Sequence, residues 1–433
     1  MTKKTLVLKF GGSSVAEKKA LMNVAEIVRK GLPNRICVVV SALGKAHDYD
    51  KVTDELIGLK TSAKKEKVLA GLKRRHIELI DECIDDDGCN AGAKKEIGRI
   101  LGEIKACMAD PTYPLECFGE KMSAQIVYFM LKSKGLDMAY VDALLVIHFI
   151  NRNPYFQKIR DSSKIITDLM AEGKIVITEG FIANENGKMT CMCRGGSDQT
   201  ATLIGEAIKA DEVLIYSDQD GILTADPRIV KNARSVVEIS YPEAEEMAGH
   251  GTKIIYPKIL EPLKGSNIPI IIKNTFNPDH KGTRIVPSSR NKGIKCITMV
   301  RQLHTSIHNP AMIGSEGFLA KVFSAIGKDI DVIISGNPII GYTTTDERNI
   351  LDKLKEFGEV RQKSVHTIAI VGEDVEENPR VLNKVTRCLS ELGLEIEFIS
   401  HDRRSAAIYL GVVENGKTNT LINMLHKELI EGM

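Results

Sequence analysis

The sequence lacks the features that mark nucleic-acid-binding, membrane and secreted proteins. Its formal net charge is only +2, and no apolar run reaches the length of a transmembrane helix. The opening residues, MTKKTLVLKF, carry no small-residue cleavage site of a signal peptide. These absences predict a cytoplasmic protein with neither a nucleic acid nor a membrane as partner.

The nine cysteines form no CxxC pair. The two closest, Cys191 and Cys193, lie on a predicted strand. In an intracellular protein such cysteines are buried reduced thiols by default, so we expect no metal site from them. Hydrophobic residues make up 43% and charged residues 27%, and a chain of 433 residues allows two or three domains.

The first glycine pair of the chain matches neither of two common phosphate-binding patterns, GxxxxGK[ST] and GxGxxG. Instead, a predicted strand from Thr5 to Phe10 leads directly into Gly11 and Gly12, and a helical pattern follows. Glycines and a helix start offer backbone N–H groups to an anion. Lys9, at the end of the strand, has the charge to meet a transferring phosphoryl group, although a lone lysine here is also typical of an ordinary strand end.

A second polar region extends from Cys191 to Arg228. Two glycines follow Arg194, and Ser197 and Asp198 open a predicted helix. A strand then leads into a loop that carries three carboxylates and an arginine: Asp218, Asp220, Asp226 and Arg228. This arrangement predicts a phosphate-compatible site at the carboxyl ends of strands in an α/β sheet. The alternative is a glycine turn, a helix cap and an Asp-Pro turn without function.

Strands that alternate with helices from Thr5 to Val286 predict a mainly parallel sheet covered on both faces. Residues 52–110 are charged and helical, which predicts a helical hairpin. Glu120 lies in the first turn of a predicted helix, where the helix dipole alone favours a carboxylate. Lys253 begins a predicted helix that extends to Lys264, an unfavourable place for a cation unless an anion is near.

The C-terminal part contains an internal repeat. Within Gly317–Ser335 and Arg380–Ser400, three residues of the first segment recur in the second at an offset of 63: Leu319, Lys321 and Val322 match Leu382, Lys384 and Val385. Each segment is a helical pattern followed by a strand ending in Ile-Ser. With the neighbouring strand patterns, this predicts two small βαββαβ modules. Pro287–Lys295 has the composition of a linker before them.

With these motifs in order, the sequence resembles the aspartate kinases of the amino-acid kinase family, which end in a tandem pair of ACT domains. The motifs are KFGGSS (Lys9–Ser14), SALGK (Ser41–Lys45), Gly119-Glu120 with Ser123, RGGSD (Arg194–Asp198), SDQDGILTADPR (Ser217–Arg228) and KIIYP (Lys253–Pro257). The resemblance covers nearly the whole chain. It implies an α/β fold of the amino-acid-kinase type, with a mainly parallel sheet sandwiched by helices, followed by two α+β ACT-like domains.

The resemblance also implies domain limits. The catalytic domain spans 1–290, with the helical insertion at about 52–110. The first ACT domain spans 296–365 and the second 366–433, and their elements are free to interleave. A fused homoserine dehydrogenase is not expected, because no GxGxxG domain follows.

The activity implied is the ATP-dependent phosphorylation of the β-carboxylate of L-aspartate to 4-phospho-L-aspartate, the first step toward lysine, threonine and methionine. ATP and Mg²⁺ are the implied cofactors, with the metal held mainly through the ATP phosphates. The implied catalytic residues are Lys9 and Asp198. Aspartate is held by Ser41, Glu120, Arg194, Gly195 and Ser197, with Glu120 at its amino group and Arg194 at its α-carboxylate. The nucleotide is bound by Lys9, Phe10, Gly11, Gly12, Ser13, Ser217, Asp218, Leu223, Arg228 and Lys253.

The ACT pair implies feedback control and a homodimer or a dimer of dimers. Lysine is the first choice of effector and threonine the second. The implied effector site comprises Met312, Ser315, Gly317, Phe318 and Leu319. The alternative is that Gly317 and Phe318 are only a helix start and a core residue.

Three positions depart from the family pattern. Ser13 replaces a threonine, Leu223 replaces a tyrosine near the nucleotide, and Val332-Ile333 stands where lysine-inhibited members have Val-Asp. Two alternative functions are a kinase of the same family for another acceptor, such as acetylglutamate or a nucleoside monophosphate, and a catalytically silent amino-acid sensor. The ACT pair and the combination of Glu120 with Arg194 favour aspartate, and the presence of Lys9 and Asp198 favours activity.

Overall fold

The computed structural model describes residues 3–47, 49–249, 256–289, 291–312, 315–327, 330–335, 338–345, 350–373, 375, 378–401 and 405–432. The chain forms two compact units. The first comprises Met1–Ile222 and Tyr256–Pro287, and the second comprises Leu223–Ile255 and Ser288–Met433. The domain limits implied by the resemblance stay predictions. Among the described residues, no helix has both the length and the apolar composition needed to cross a bilayer.

The strands are, in chain order, β1 Thr5–Phe10, β2 Arg35–Val40, β3 Met138–Tyr140, β4 His148–Ile150, β5 Asn153–Pro154, β6 Ile175–Glu179, β7 Ile182–Glu185, β8 Lys188–Cys191, β9 Glu212–Ser217, β10 Glu238–Ser240, β11 Ile270–Asn274, β12 Thr283–Val286, β13 Gly293–His308, β14 Val332–Ser335, β15 Ile339–Thr344, β16 Glu359–Glu373, β17 Ile396–His401 and β18 Ala407–Val413.

The α-helices are α1 Gly12–Val15, α2 Lys18–Gly31, α3 Val52–Leu59, α4 Lys65–Cys83, α5 Asp87–Cys107, α6 Phe118–Ser133, α7 Ala143–Val146, α8 Phe156–Ser162, α9 Lys164–Ala171, α10 Gly196–Ala207, α11 Tyr241–Gly249, α12 Phe318–Ile326, α13 Leu351–Leu354, α14 Pro379–Leu392 and α15 Thr418–His426. Single 3₁₀ turns occur at Leu115–Cys117, Pro257–Ile259, Glu261–Leu263, Pro310–Met312 and Lys355–Phe357, and a π-helical turn follows α15 at Lys427–Glu431.

The first unit contributes its strands to one sheet in the order β12–β11–β9–β1–β2–β6–β3. All neighbouring pairs from β11 to β3 are parallel, and β12 is antiparallel to β11. Strand β1 is buried without alternation from Leu6 to Phe10. A strand buried on both faces suits a parallel sheet covered by helices on both sides. The predicted α/β fold is therefore confirmed.

Successive side chains of β1 point to opposite faces of the sheet. Leu6, Leu8 and Phe10 belong to a core shared with α2 to α6. On the opposite face, a Cβ at Gly205 of α10 would meet Val213 of β9 at 2.6 Å. Helix α10 therefore lies directly on the face that the long α4–α5 hairpin does not cover, because glycine lets helix and strand approach closely.

The predicted helix from Lys253 to Lys264 is wrong over the part that the structure describes. Residues 250–255, including Lys253, lie outside the described part. The remainder forms two separate 3₁₀ turns that contain Pro257 and Pro262. Each proline removes a backbone N–H donor, so a continuous α-helix is interrupted here.

The second unit is built on a six-stranded sheet in the order β14–β15–β13–β16–β18–β17, and all of its neighbouring pairs are antiparallel. The long strands β13 and β16 pair with each other over 293–308 and 359–373. Helix α12 with β14 and β15 extends one end of this pair, and α14 with β17 and β18 extends the other. The repeated helix–strand segments thus flank two shared central strands.

Each half of this sheet has its own core. Val322, Ile340 and Tyr342 centre one core on α12 and β15, whereas a larger core contains residues of α14, β18 and α15. Ala225 and Val230, which precede β10, pack into the larger core. The residues between Leu223 and β10 therefore contribute to this larger core, although they precede the last strands of the first unit in sequence.

Candidate active site

The candidate site lies at the carboxyl edge of the parallel sheet, where four neighbouring strands end in polar loops. These strands are β9, β1, β2 and β6, and the residues that follow them are Asp218, Gly11, Ser41 and Gly180. Parallel strands bring such loops to one edge, where α/β proteins bind ligands. The loops after β9, β1 and β2, each predicted from a separate stretch of sequence, therefore lie at the same edge of the sheet.

Lys9 and Asp198 form a buried ion pair at this edge. Lys9 is 7% exposed and Asp198 9% exposed, and their side chains contact each other directly. Lys9 belongs to β1, whereas Asp198 lies in the first turn of α10. Each charge is compensated by the other in a place where an unpaired ion would be costly. The ammonium also lies over Gly11, within 3.4 Å of the position that a Cβ there would take.

Two glycines allow the loops after β1 and β2 to touch. The backbone N–H of Gly44 donates to the carbonyl of Gly12 at 3.0 Å. A Cβ on Gly44 would lie 2.6 Å from the backbone carbon of Gly12. Any side chain at Gly44 would push the two loops apart. The loop after β1 continues into the short helix α1, with Ser13 half-buried and Ser14 buried.

Glu120 is a buried carboxylate that points toward this site. It lies in the first turn of α6, 4% exposed, and its Oε2 atom has no hydrogen-bond partner among the described residues. Burial raises its pKa to about 8, with the nearby Glu179 adding to the shift, while the Ala42 backbone N–H and the Lys9 charge oppose it. A buried carboxylate with one unsatisfied oxygen suits a cationic ligand group.

Arg194 is exposed in the loop before α10. Its guanidinium lies 5.6 Å from the ring centre of Tyr256 and forms no ion pair within the part of the chain described here. Gly195 caps α10 in a left-handed conformation with φ of 80°, which glycine adopts without strain. The helix start leaves N–H groups available, and buried Ser197 lies next to Asp198.

The remaining residues predicted to bind the nucleotide differ in burial, and they belong to both units. Phe10 is buried and stacks on Tyr216 with ring centres 5.0 Å apart. Ser217 is half-buried and Asp218 exposed at the end of β9. Leu223 and Arg228 belong to the second unit, where Leu223 is half-buried. There Arg228 is exposed and pairs with Asp226 at 2.6 Å. As with the other predicted roles, those of the nucleotide residues stay predictions.

Three charged residues near the site were not identified from the sequence. Glu179 is fully buried at the end of β6, where it accepts hydrogen bonds from the Tyr140 hydroxyl and, at 2.9 Å, from the Ala143 N–H. Lys121 lies 3.7 Å from it. The signal for Glu179 was its place at the end of an apolar strand, immediately before Gly180.

The third residue is Arg75 of α4, which is 3% exposed. Its guanidinium donates to the carbonyl of Gly44 and, at 2.5 Å, to that of Asp50. Because Gly44 also contacts the loop after β1, the helical insertion supports the candidate site through Arg75. No local pattern distinguishes this arginine from its exposed neighbour Arg74.

A model of the amino acid kinase family matches residues 4–274 of this chain. The chain belongs to the amino acid kinase family. It is 28% identical to aspartokinase 1 from the chloroplast of Arabidopsis thaliana, over 99% of this chain and 80% of that protein. The relationship to aspartate kinases inferred from the motifs is therefore confirmed.

Two solved structures of Escherichia coli aspartokinase III are similar to this chain along nearly its full length. The complex with aspartate and ADP, in the R-state, matches with a TM-score of 0.84 and 26% identity, over 98% of this chain and 100% of the other. The complex with lysine and aspartate, in the T-state, matches with a TM-score of 0.80 and 25% identity, over 98% and 99%. The similarity includes the second unit as well as the first.

The raised pKa of Glu120 predicts a pH dependence for a ligand that brings an ammonium group. Glu120 accepts an ammonium only when ionised, and below pH 8 most of the free protein holds it protonated. Apparent affinity falls with the competent fraction, so kcat/KM for aspartate should rise about tenfold per unit toward pH 8 and then level. Rate measurements from pH 6 to 9 test this. The Glu120→Gln variant should lack the rise, and a flat wild-type profile would contradict the assignment.

Proposed function

We propose that this chain phosphorylates the β-carboxylate of L-aspartate with ATP and forms 4-phospho-L-aspartate. The observation that carries the proposal is the buried Lys9–Asp198 pair at the loop that follows β1, with buried Glu120 close enough to feel the charge of Lys9. The exposed Arg194 lies in the loop that leads into the helix of Asp198. This geometry offers one anion and one cation to a zwitterionic substrate, and a further cation to a phosphoryl group. The product is the first intermediate toward lysine, threonine and methionine.

Aspartate binding uses complementary charges. The unsatisfied oxygen of Glu120 accepts the α-ammonium, and the guanidinium of Arg194 holds the α-carboxylate. Ser41, Gly195 and Ser197 complete the contacts from the ends of β2 and the start of α10. The substrate's β-carboxylate then points toward Lys9.

The reaction needs no general base, because a carboxylate is already ionised at neutral pH. Catalysis consists of in-line positioning and of stabilising charge on the transferring phosphoryl group. Lys9 supplies a fixed ammonium for that charge, and Asp198 holds the ammonium in place. The amides of Gly11 and Gly12, with Phe10 and Ser13 beside them, hold the ATP phosphates. Ser217 and Asp218 add the proposed nucleotide contacts at the end of β9, and the nucleotide contacts predicted for Leu223, Arg228 and Lys253 stay predictions.

Mg²⁺ supplies further charge neutralisation when it is bound with ATP. Within the described ranges, no group of three His, Cys, Asp or Glu side chains is placed to hold a metal. Asp198 offers one carboxylate near the loop of Gly11 and Gly12, which fits a metal held mainly through the ATP phosphates.

The cytoplasmic location stays a prediction.

Lysine is the proposed feedback effector, and threonine is the second choice. The predicted effector site surrounds the start of α12, where Gly317 is exposed and Phe318 packs on Phe357. Met312 packs on the same core, whereas Ser315 and Leu319 are exposed. Ile333 is 52% exposed, so an apolar side chain occupies the position where lysine-inhibited relatives carry a carboxylate.

We further propose a homodimer that forms through the six-stranded sheets of two chains.

The first prediction that follows from this proposal concerns Lys9. We expect Lys9→Ala to lower kcat on the order of 100-fold, because a preorganised charge at the transferring group is lost. The matched control is Lys4→Ala, which removes an exposed lysine paired with Glu212 at the opposite end of the same strand. Steady-state rates of ADP release with aspartate, compared between wild type and the two variants, test this. A loss below about tenfold, worth about 1.4 kcal/mol, would rule out Lys9 as the phosphoryl-stabilising residue.

The second prediction separates the two substrates. Arg194→Leu should raise KM for aspartate about tenfold or more, because the α-carboxylate loses its charged partner, while KM for ATP changes little. Arg160→Leu is the control, since Arg160 is exposed and pairs with Glu206 near the far end of α10. A panel of amino acids and carboxylates as acceptors tests the substrate directly. A variant with shifted ATP dependence alone would exclude the proposed role.

The third prediction concerns feedback. Lysine should inhibit the wild type, and Gly317→Asp should raise the inhibitory concentration about tenfold, a usual size for allosteric coupling. Gly393→Asp is the matched control, because both glycines have positive φ, 73° and 62°, and open space at Cβ. Inhibition curves with lysine and with threonine give the answer. Equal curves for wild type and Gly317→Asp would place the effector elsewhere.

A further inference from the structure

Two cysteines that the proposed reaction does not use lie in direct contact. The Sγ atoms of Cys117 and Cys191 are 2.6 Å apart, although the residues are 74 positions apart in sequence. Cys117 ends the 3₁₀ turn before α6, and Cys191 is the last residue of β8. Both are free thiols. They share a small apolar cluster with Ala143, Ile182 and Phe181.

We propose that Cys117 and Cys191 form a site of reversible oxidation, in which a disulfide links the start of α6 to the end of β8. A disulfide needs a sulfur–sulfur separation of about 2.05 Å, so the two atoms must approach by only about half an ångström. Sequence separation gives no indication of this pair, because the fold alone brings the two segments together.

Only one cysteine of the pair is accessible to an oxidant from solvent. Cys117 is fully buried, and burial raises the pKa of its thiol well above the ordinary value. Cys191 is half-buried and lines a cavity of about 270 Å³, together with Cys193, Lys258 and Arg152. An oxidant therefore reaches Cys191 first, and Cys117 lies behind it as the resolving thiol. This order is the one expected of a redox pair in which only one partner is open to solvent.

The chemistry requires a two-electron oxidant, for which hydrogen peroxide is the probe. Peroxide oxidises the Cys191 thiol to a sulfenic acid and releases one water. The Cys117 sulfur then attacks the sulfenyl sulfur, its proton leaves with the hydroxyl group as a second water, and the disulfide forms. A dithiol such as dithiothreitol reverses the step by thiol–disulfide exchange and becomes oxidised itself.

The position of the pair connects it to substrate binding, and this part of the inference rests on the proposed function. Cys117 precedes Glu120 by three residues, and Cys191 precedes Arg194 by three residues. A covalent link therefore fixes the spacing between the two segments that carry the proposed partners of the aspartate ammonium and carboxylate. Small displacements of positioning groups have large effects on rate. We expect oxidation to raise KM for aspartate and to leave KM for ATP nearly unchanged.

Peptide mapping of the full-length protein tests the site without reference to activity. After peroxide treatment and alkylation, mass spectrometry should find a Cys117–Cys191 cross-linked peptide that dithiothreitol removes. Cys191→Ser should abolish the cross-link, and so should Cys117→Ala, which keeps a small apolar side chain in the buried position. Cys193→Ser, two residues from Cys191 and exposed beside Lys258, is the control and should keep it.

Failure of the inference is distinguishable from failure of the proposed function. A wild-type protein without the cross-link, or with Cys193 as the main partner of Cys191, would overturn the site even if aspartate kinase activity is normal. If the cross-link forms, oxidised wild type should show KM for aspartate raised about threefold or more, and Cys191→Ser should not respond. An unchanged KM in the cross-linked protein would overturn the connection to substrate binding.

Discussion

The ion pair between Lys9 and Asp198 is the interaction on which the candidate site depends. It joins the end of the central strand β1 to the first turn of α10, two segments that are far apart in sequence. Both groups are nearly buried, so loss of either leaves a charge without its partner at a cost of several kcal/mol. The pair fixes the position of the ammonium and the start of α10, and with it the loop that carries Arg194.

Close backbone contacts set the second constraint. Gly12 and Gly44 lie against each other, so the loops after β1 and β2 form one surface and have no space for side chains at those positions. Arg75 then holds the second loop from the helical insertion. The long charged helices are consequently more than a solvated appendage, because one buried arginine connects them to the edge where phosphate is proposed to bind.

Two buried carboxylates at the same edge have different surroundings. Glu179 is satisfied by the Tyr140 hydroxyl and the Ala143 N–H, and Lys121 lies near it. Glu120 keeps one oxygen without a hydrogen-bond partner among the described residues and has a pKa of about 8. The first arrangement is typical of a structural ion cluster, and the second of a group that waits for a ligand. Each cysteine of the pair belongs to one of the two segments that lead to Glu120 and Arg194. A covalent bond between the cysteines would therefore fix the distance between these segments.

The sequence by itself determined the fold class, the parallel sheet and the order of the kinase motifs, because periodicity and glycine loops are local properties. The β-rich run of β1, the continuous apolar run of β2 and the glycines after Lys9 were recognisable without tertiary information. The helix predicted from Lys253 to Lys264 failed in its described part, because Pro257 and Pro262 outweighed the apolar pattern. The repeat at an offset of 63 residues indicated two modules, yet only the sheet showed that β13 and β16 serve both. Tertiary structure alone decided which charges are buried together, since the contacts of Arg75, Glu179 and the Cys117–Cys191 pair join segments far apart in sequence. Burial and partner choice depend on those long-range contacts, which no local pattern encodes.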